Sequence, residues 1–238
     1  MPRESRNPVL VAIDTPELDR AKALSQSLAG AVGGIKLGLE FFNAHGPAGV
    51  AAVAGDRGDL FLDLKYHDIP NTVAGAVRAA MKLQPMILNV HAGGGPAMMR
   101  AALEAADGES ARLGIARPRV IAVTVLTSMD DGDLDAVGQQ GPAADQVVRL
   151  ARLAQDCGLD GVVCSPREIE ALRGACGSDF ILVVPGIRPA GAAMGDQKRV
   201  MTPREAVDAG ADWLIIGRPI TGAPDPAAAA REVLRELA

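Results

Sequence analysis

Aromatic residues are scarce in this 238-residue chain, which has one Trp, one Tyr and four Phe, 3% of the total. Proteins that stack nucleic-acid bases do so on aromatic platforms, and this composition cannot furnish one. Basic clusters are also missing. The 24 Lys and Arg are interleaved with 29 Asp and Glu, the net charge is -5, and no segment concentrates positive charge for a phosphate backbone. No nucleic acid is expected as a partner. Long apolar runs are absent too: none approaches the roughly 18 residues of a membrane span, so no membrane is expected either. The opening "MPRESRNPVLVAID" sets two arginines ahead of apolar residues, but that run ends at Asp14, too soon for a secretory signal. Cys157, Cys164 and Cys176 are odd in number and form no C-x-x-C pair, so they read as reduced structural thiols of a cytoplasmic protein. His45, His67 and His91 lack zinc spacing, and no metal is expected.

What the chain has is apolar residues, 48% of the total, with no long polar interruption, which points to one domain over residues 1–238. Short β-rich runs recur at even spacing: "VLVAID", "GGIKLG", "LFLDLK", "MILNVHA", "VIAVTVLT", "GVVCS", "ILVVPGI" and "WLIIGR". Segments of helical periodicity such as "TVAGAVRAAMKL" and "AADQVVRLARLAQDCG" separate them. The runs are continuous rather than alternating, as expected of parallel strands buried on both faces. The fold class is therefore α/β, a (β/α)8 or TIM barrel with its functional groups at the C-terminal ends of the strands. A doubly wound open sheet is the second choice, but no G-x-G-x-x-G follows the first run. Two helix starts support the parsing: "SPRE" from Ser165 and "TPRE" from Thr202 each read as a capping box, so both hydroxyls are structural.

The run ends carry the chemistry. They are Asp14, Lys36, Asp63 with Lys65, His91, Thr127, Pro185 with Gly186, and Gly217 with Arg218. Asp63 and Lys65 stand at i and i+2, which puts both on one strand face, the barrel interior, with Leu62 and Leu64 turned the other way. Lys36 on the neighbouring run reaches the same space. Alternating acids and bases keep one another ionised and are oriented before any ligand arrives. Asp14 precedes "TPEL", where Thr15 followed by Pro16 makes the better helix cap, which leaves Asp14 to bind ligand. His91 reads as a hydrogen-bonded core or rim residue.

A second cluster suits a phosphate. "VVPGIRPAG" and "IIGRPI" place Gly186, Arg188, Gly217 and Arg218 after the last two strands, where barrels commonly hold this anion. Glycine admits backbone N–H groups to the anion, and arginine presents a fork of donors. The Gly-rich stretch "GIRPAGAAMGDQKRV" beside it is long enough to be a lid, with Gln197 contacting ligand from above.

Taken together, "LDLKYHDIPNTV", "NVHAGGG", "VTVLTS", "PGIRPAG…GDQKRVMTP" and "LIIGRPIT" resemble the bacterial orotidine 5′-phosphate decarboxylase family, from about Val9 to the C-terminal helix. D-x-K-x-x-D alone marks a wider superfamily that includes metal-dependent phosphosugar enzymes. The "DIPNTV" extension and the "GDQ" segment narrow the resemblance. It implies cofactor-free decarboxylation of orotidine 5′-monophosphate, with Lys65 giving a proton to C6 inside a network of Lys36, Asp63, Lys65 and Asp68. Asp63 would lie beside the scissile carboxylate. Asp14 and Lys36 would bind the ribose hydroxyls, Thr127 and Gln197 the pyrimidine, and Arg188 and Arg218 the phosphate, with Gln197 bridging to it. Pro185 and Gly217 join the substrate-binding set. The sequence leaves open whether Thr127 or Ser128 makes the base contact. The resemblance also implies a homodimer in which Asp68, Ile69 and Thr72 reach into the neighbouring subunit's site.

Overall fold

The structure, a computed structural model, describes residues 7–139, 141–189 and 201–237. Eight parallel strands form a closed barrel in sequence order. They are β1 (Val9–Ala12), β2 (Gly34–Gly38), β3 (Leu60–Tyr66), β4 (Ile87–His91), β5 (Arg119–Val123), β6 (Gly161–Val163), β7 (Ile181–Val184) and β8 (Trp213–Ile216). β8 closes on β1 with Val9 opposite Leu214 and Val11 opposite Ile216. Every apolar run quoted above contributes one strand.

Among the described residues, helices α1 (Leu18–Ser27), α2 (Leu39–Ala54), α3 (Pro70–Ala80), α4 (Gly95–Leu113) and α5 (Asp131–Ala136) follow the first five strands. After them come α6 (Ala143–Asp156), α7 (Ile169–Cys176), α8 (Pro203–Ala209), the single turn α9 (Arg218–Thr221) and α10 (Pro226–Leu237). α8 starts on a full capping box: the Glu205 N–H donates to the Thr202 hydroxyl at 3.3 Å, and the Thr202 N–H to the Glu205 carboxylate at 2.9 Å. At Ser165 the backbone N–H donates to the Glu168 carboxylate at 2.7 Å, and the chain makes a 3-10 turn before α7 instead of entering the helix directly. α1 corrects the expected cap. Its N-cap position is Glu17, and the Thr15 hydroxyl instead accepts the Glu17 N–H two residues on, at 3.3 Å.

Strand alternation divides the core in two. Outward residues such as Leu62, Leu64, Val90 and Leu182 pack beneath the helices. Inward residues Leu10, Phe61, Ile87, Ile121, Val183 and Trp213 fill the lower barrel, each no more than 2% exposed. Strands pack closely at this level, and side chains must give way: a Cβ at Gly34 would lie 2.3 Å from the Asp59 carbonyl oxygen. Above this apolar floor the inward positions turn polar.

Candidate active site

Strand β3 is regular only at its beginning. Between Leu62, opposite Leu88, and Tyr66, opposite Val90, it advances four residues while β4 advances two. The surplus is accommodated at Lys65, whose φ is +50°, a left-handed conformation that a side chain beyond glycine adopts only when its surroundings enforce it. The ladder cannot serve its N–H, which donates to the Asn89 side-chain oxygen at 2.8 Å. A bulge of this kind re-aims a side chain, and here it turns the lysine over its own strand.

The Lys65 ammonium meets Asp63 Oδ1 at 2.5 Å. The same oxygen accepts the Asn89 amide at 2.7 Å, and Oδ2 faces Lys36 Nζ at 3.2 Å. Lys36 in turn reaches Asp14 Oδ1, also at 3.2 Å. The result is a chain of alternating charge, Asp14–Lys36–Asp63–Lys65, rooted in the barrel and opening upward. Lys36 and Asp63 side chains are each 10% exposed, Lys65 29% and Asp14 59%.

Burial and charge oppose one another here. Burial alone would pull the Lys36 pKa down, but the Asp63 and Asp14 carboxylates outweigh it and hold the ammonium above the ordinary lysine value. Burial would likewise raise Asp63, yet Lys36, Lys65 and the bonds from Lys65 and Asn89 keep it below the ordinary carboxylate value. Both groups therefore stay ionised away from bulk water. His91, half-buried at the end of β4, is shifted down by burial, by His67, whose ring centroid is 5.4 Å away, and by Lys65.

A cavity of about 420 Å³ stands over the network. Asp14, Lys36, Asp63 and Lys65 form one part of its wall, and Pro185, Gly186, Arg188, Gly217 and Arg218 another. Apolar Phe61, Val123, Leu126, Val163 and Ile215 line the space between. Gly38 leaves room for the Lys36 ammonium, since a Cβ there would stand 3.2 Å from Lys36 Nζ. At the far end burial and the neighbouring Arg218 charge lower the Arg188 pKa, and Arg188 Nε is a buried donor with no hydrogen-bond partner among the described residues. Two cations share a wall, with a donor still to be satisfied.

Most of the residues read from the sequence converge on this cavity: Asp14, Lys36, Asp63, Lys65, Thr127, Pro185, Arg188, Gly217 and Arg218 all line it. Thr127 does so from a loop, four positions beyond the end of β5, and not from a strand end as expected. Its neighbour Ser128 is exposed and is not among the lining residues. Asp68, Ile69 and Thr72 do not join the site of their own chain. They are exposed, Ile69 at 67%, and the Asp68 carboxylate accepts the Ile69 N–H at 2.7 Å. Gln197 and the body of the expected lid lie outside the described residues. Asn89 is the residue that sequence reading missed. The available signal was an amide in the middle of "MILNVHA", two positions before His91 and so on the same inward face. Among the described residues no three His, Cys, Asp or Glu side chains gather as a metal site.

The sequence model of the orotidine 5′-phosphate decarboxylase / HUMPS family matches residues 7–233. The orotidine 5′-phosphate decarboxylase of Paramagnetospirillum magneticum is 59% identical over 231 residues, covering 97% of this chain and 98% of the relative. That of Rhodospirillum rubrum is 60% identical over 239 residues, covering 100% and 96%. Among solved structures, the orotidine 5′-phosphate decarboxylase of Lactobacillus acidophilus superposes with a TM-score of 0.85 at 37% identity, over 97% of this chain and 99% of that one. With a barrel of matching topology and a family match across nearly its whole length, the chain belongs to the orotidine 5′-phosphate decarboxylase family.

Proposed function

We propose that this chain is a carboxy-lyase that converts orotidine 5′-monophosphate to uridine 5′-monophosphate and CO2, the last step of de novo uridine 5′-monophosphate synthesis, in the cytoplasm and without a cofactor. The observation that carries the reading is Asp63 held between Lys36 and Lys65 beneath a cavity whose other wall presents Arg188 and Arg218. A nucleotide fits this polarity, with phosphate at the arginines and the reacting carbon over the lysine.

In the reaction the bond from C6 to the carboxylate breaks, CO2 departs, and the electron pair stays on C6. Lys65 stabilises that charge and then transfers a proton to C6, becoming a neutral amine that solvent reprotonates. Asp63 contributes in the opposite sense, by crowding the substrate carboxylate until CO2 leaves. Two unit charges about 4 Å apart at an effective dielectric near 20 interact by roughly 4 kcal/mol. Barriers in the most demanding enzymes fall by roughly 20 kcal/mol or more, so repulsion is the smaller share. The ammonium already in place supplies most of the effect, aided by phosphate binding energy. Asp14 and Lys36 hold the ribose hydroxyls, and Thr127, the member of the Thr127–Ser128 pair on the cavity wall, meets the pyrimidine together with Gln197.

The active unit is a homodimer in which Asp68, Ile69 and Thr72 serve the partner's site. Their exposure, and the separation of Asp68 from the network of its own chain, support this reading. Mixing inactive Asp68→Ala and Lys65→Ala chains then restores activity through hybrid sites, and absence of restoration counts against sharing. The reaction itself is tested by following the ultraviolet absorbance of orotidine 5′-monophosphate with excess EDTA, beside a Lys65→Ala variant. Metal-free conversion that the variant lacks is the expected result. No conversion by folded wild-type protein overturns the proposal and directs the search to phosphosugars with magnesium.

A further inference from the structure

We propose that Asn89 is a positioning residue for Lys65, a side-chain clamp that ties the backbone of the proton donor to the carboxylate its ammonium engages. Asn89 is completely buried in the barrel interior, at the point where β3 and β4 lose register. Its oxygen accepts the Lys65 N–H at 2.8 Å, and its nitrogen donates to Asp63 Oδ1 at 2.7 Å. Each end of the amide thus meets the partner it suits, so its orientation is fixed by what surrounds it. The carboxylate oxygen it holds is the one that Lys65 Nζ touches.

The geometry closes a ring: Lys65 backbone, Asn89 amide, Asp63 carboxylate, Lys65 ammonium. An amide that only satisfied a stray N–H would need no second bond to the acid. Lys65 also stands at φ +50°, a conformation that neither its residue type nor the interrupted ladder favours. Without the clamp that backbone has no hydrogen-bond reason to persist, and the ammonium loses its fixed aim. Placement errors near 1 Å cost on the order of 10²-fold in rate.

Two variants separate this role from packing. Asn89→Leu preserves bulk and removes both bonds. It lowers kcat on the order of 10²-fold while KM for orotidine 5′-monophosphate and Kd for uridine 5′-monophosphate change little, because the arginine wall is untouched. Asn89→Asp is nearly isosteric and makes the clamp depend on protonation. As a neutral acid its O–H replaces the amide donor to Asp63, and as a carboxylate it repels Asp63. The titratable groups around this point are Asp63 and Lys65 on β3, Lys36 on β2, Asp14 after β1, and His91 with His67 against it; β5 presents Ile121 opposite Asn89. The ratio of variant to wild-type kcat is therefore greatest at low pH and falls as pH rises through the titration of the carboxylate pair. Wild-type kcat in the Leu variant, or a pH-independent ratio in the Asp variant, overturns the proposal. If the Leu variant does not fold, the pH profile of the Asp variant decides. The inference rests on the decarboxylase reading. A wild type that turns over no substrate overturns that reading, whereas a working wild type with unaffected variants overturns only the clamp.

Discussion

Replacing Asp63 by Asn removes the anion that bridges Lys36 and Lys65, and its effect on stability can be worked from the distances. Lys36 and Asp63 lie 3.2 Å apart. At an effective dielectric near 20 that separation corresponds to roughly 5 kcal/mol of attraction. Desolvation of both groups offsets part of it, and Lys36 retains Asp14 at 3.2 Å as a second partner. The net loss at pH 7 is therefore placed at about 3 kcal/mol, the low end for breaking a buried pair. For a chain of this size that is a fall of about 6–12 °C in Tm.

The pH dependence has a definite sign on each side. The folded pKa of Asp63 lies below its unfolded value of 3.8, so its contribution is present above that pH and lost as pH falls through the folded pKa. The folded pKa of Lys36 lies above 10.5, so its contribution is complete below that pH and lost as pH rises through the folded value. In the variant burial disfavours the Lys36 ammonium and Asp14 is the carboxylate left to resist it. Its pKa drops, and the variant gains stability with rising pH as the lysine deprotonates. The gap between wild type and variant is thus widest near neutrality and narrows in both directions. Urea unfolding at a series of pH values measures it. Equal stability at pH 7, or a gap that does not change with pH, would refute the reasoning.

At the opposite wall, Arg188→Ala weakens uridine 5′-monophosphate binding by about 1.5–3 kcal/mol, roughly tenfold to 150-fold in Kd. Because burial and Arg218 disfavour this guanidinium in the unliganded protein, the substitution leaves Tm nearly unchanged. A lowered Tm with unaltered affinity in calorimetric titration would show that Arg188 serves the fold instead. Tyr66, the single tyrosine of the chain, is pushed up to about 12 by burial. Ultraviolet titration of the folded protein then shows tyrosinate forming near that pH, against about 10 in denaturant. Its contribution to stability is present below pH 10 and disappears as pH rises toward the folded value. Ionisation of folded protein near pH 10 would mean that the ring is hydrated.

The fold was legible because the eight strands are largely buried on both faces and so write themselves as mainly apolar runs separated by helical periodicity. Most of the site was legible for a related reason: an Asp or Lys on an inward position of such a strand has no solvent-facing explanation. The misses have physical causes. The sequence of β3 reads as an even strand from Leu60 to Lys65, and alternation alone assigns Asp63 and Lys65 to one face. What it does not reveal is the slip against β4 that puts Lys65 in a left-handed conformation, because register is a property of two strands. Asn89 gives little sequence signal because a lone amide carries no charge, and its partners are groups 24 and 26 residues away in sequence. The sequence points to a strand end at Thr127 because "VIAVTVLT" stays largely apolar beyond Val123, where pairing with β6 stops. The α5 cap, in which Asp130 and Asp133 exchange bonds of 3.1 Å, carries aspartate where the motif expects Glu or Gln at the third helical position.

The apolar floor of the barrel makes the site a one-ended vessel. Among the described residues, Leu10, Phe61, Ile87, Ile121 and Trp213 fill the lower interior and close the cavity toward the N-terminal side of the strands. A nucleotide held there arrives and departs through the same mouth, in opposite order of contact. A rim substitution that narrows this opening without touching the bound ligand raises the barrier to entry and to exit alike. Association and dissociation slow in proportion, and the equilibrium between them does not move.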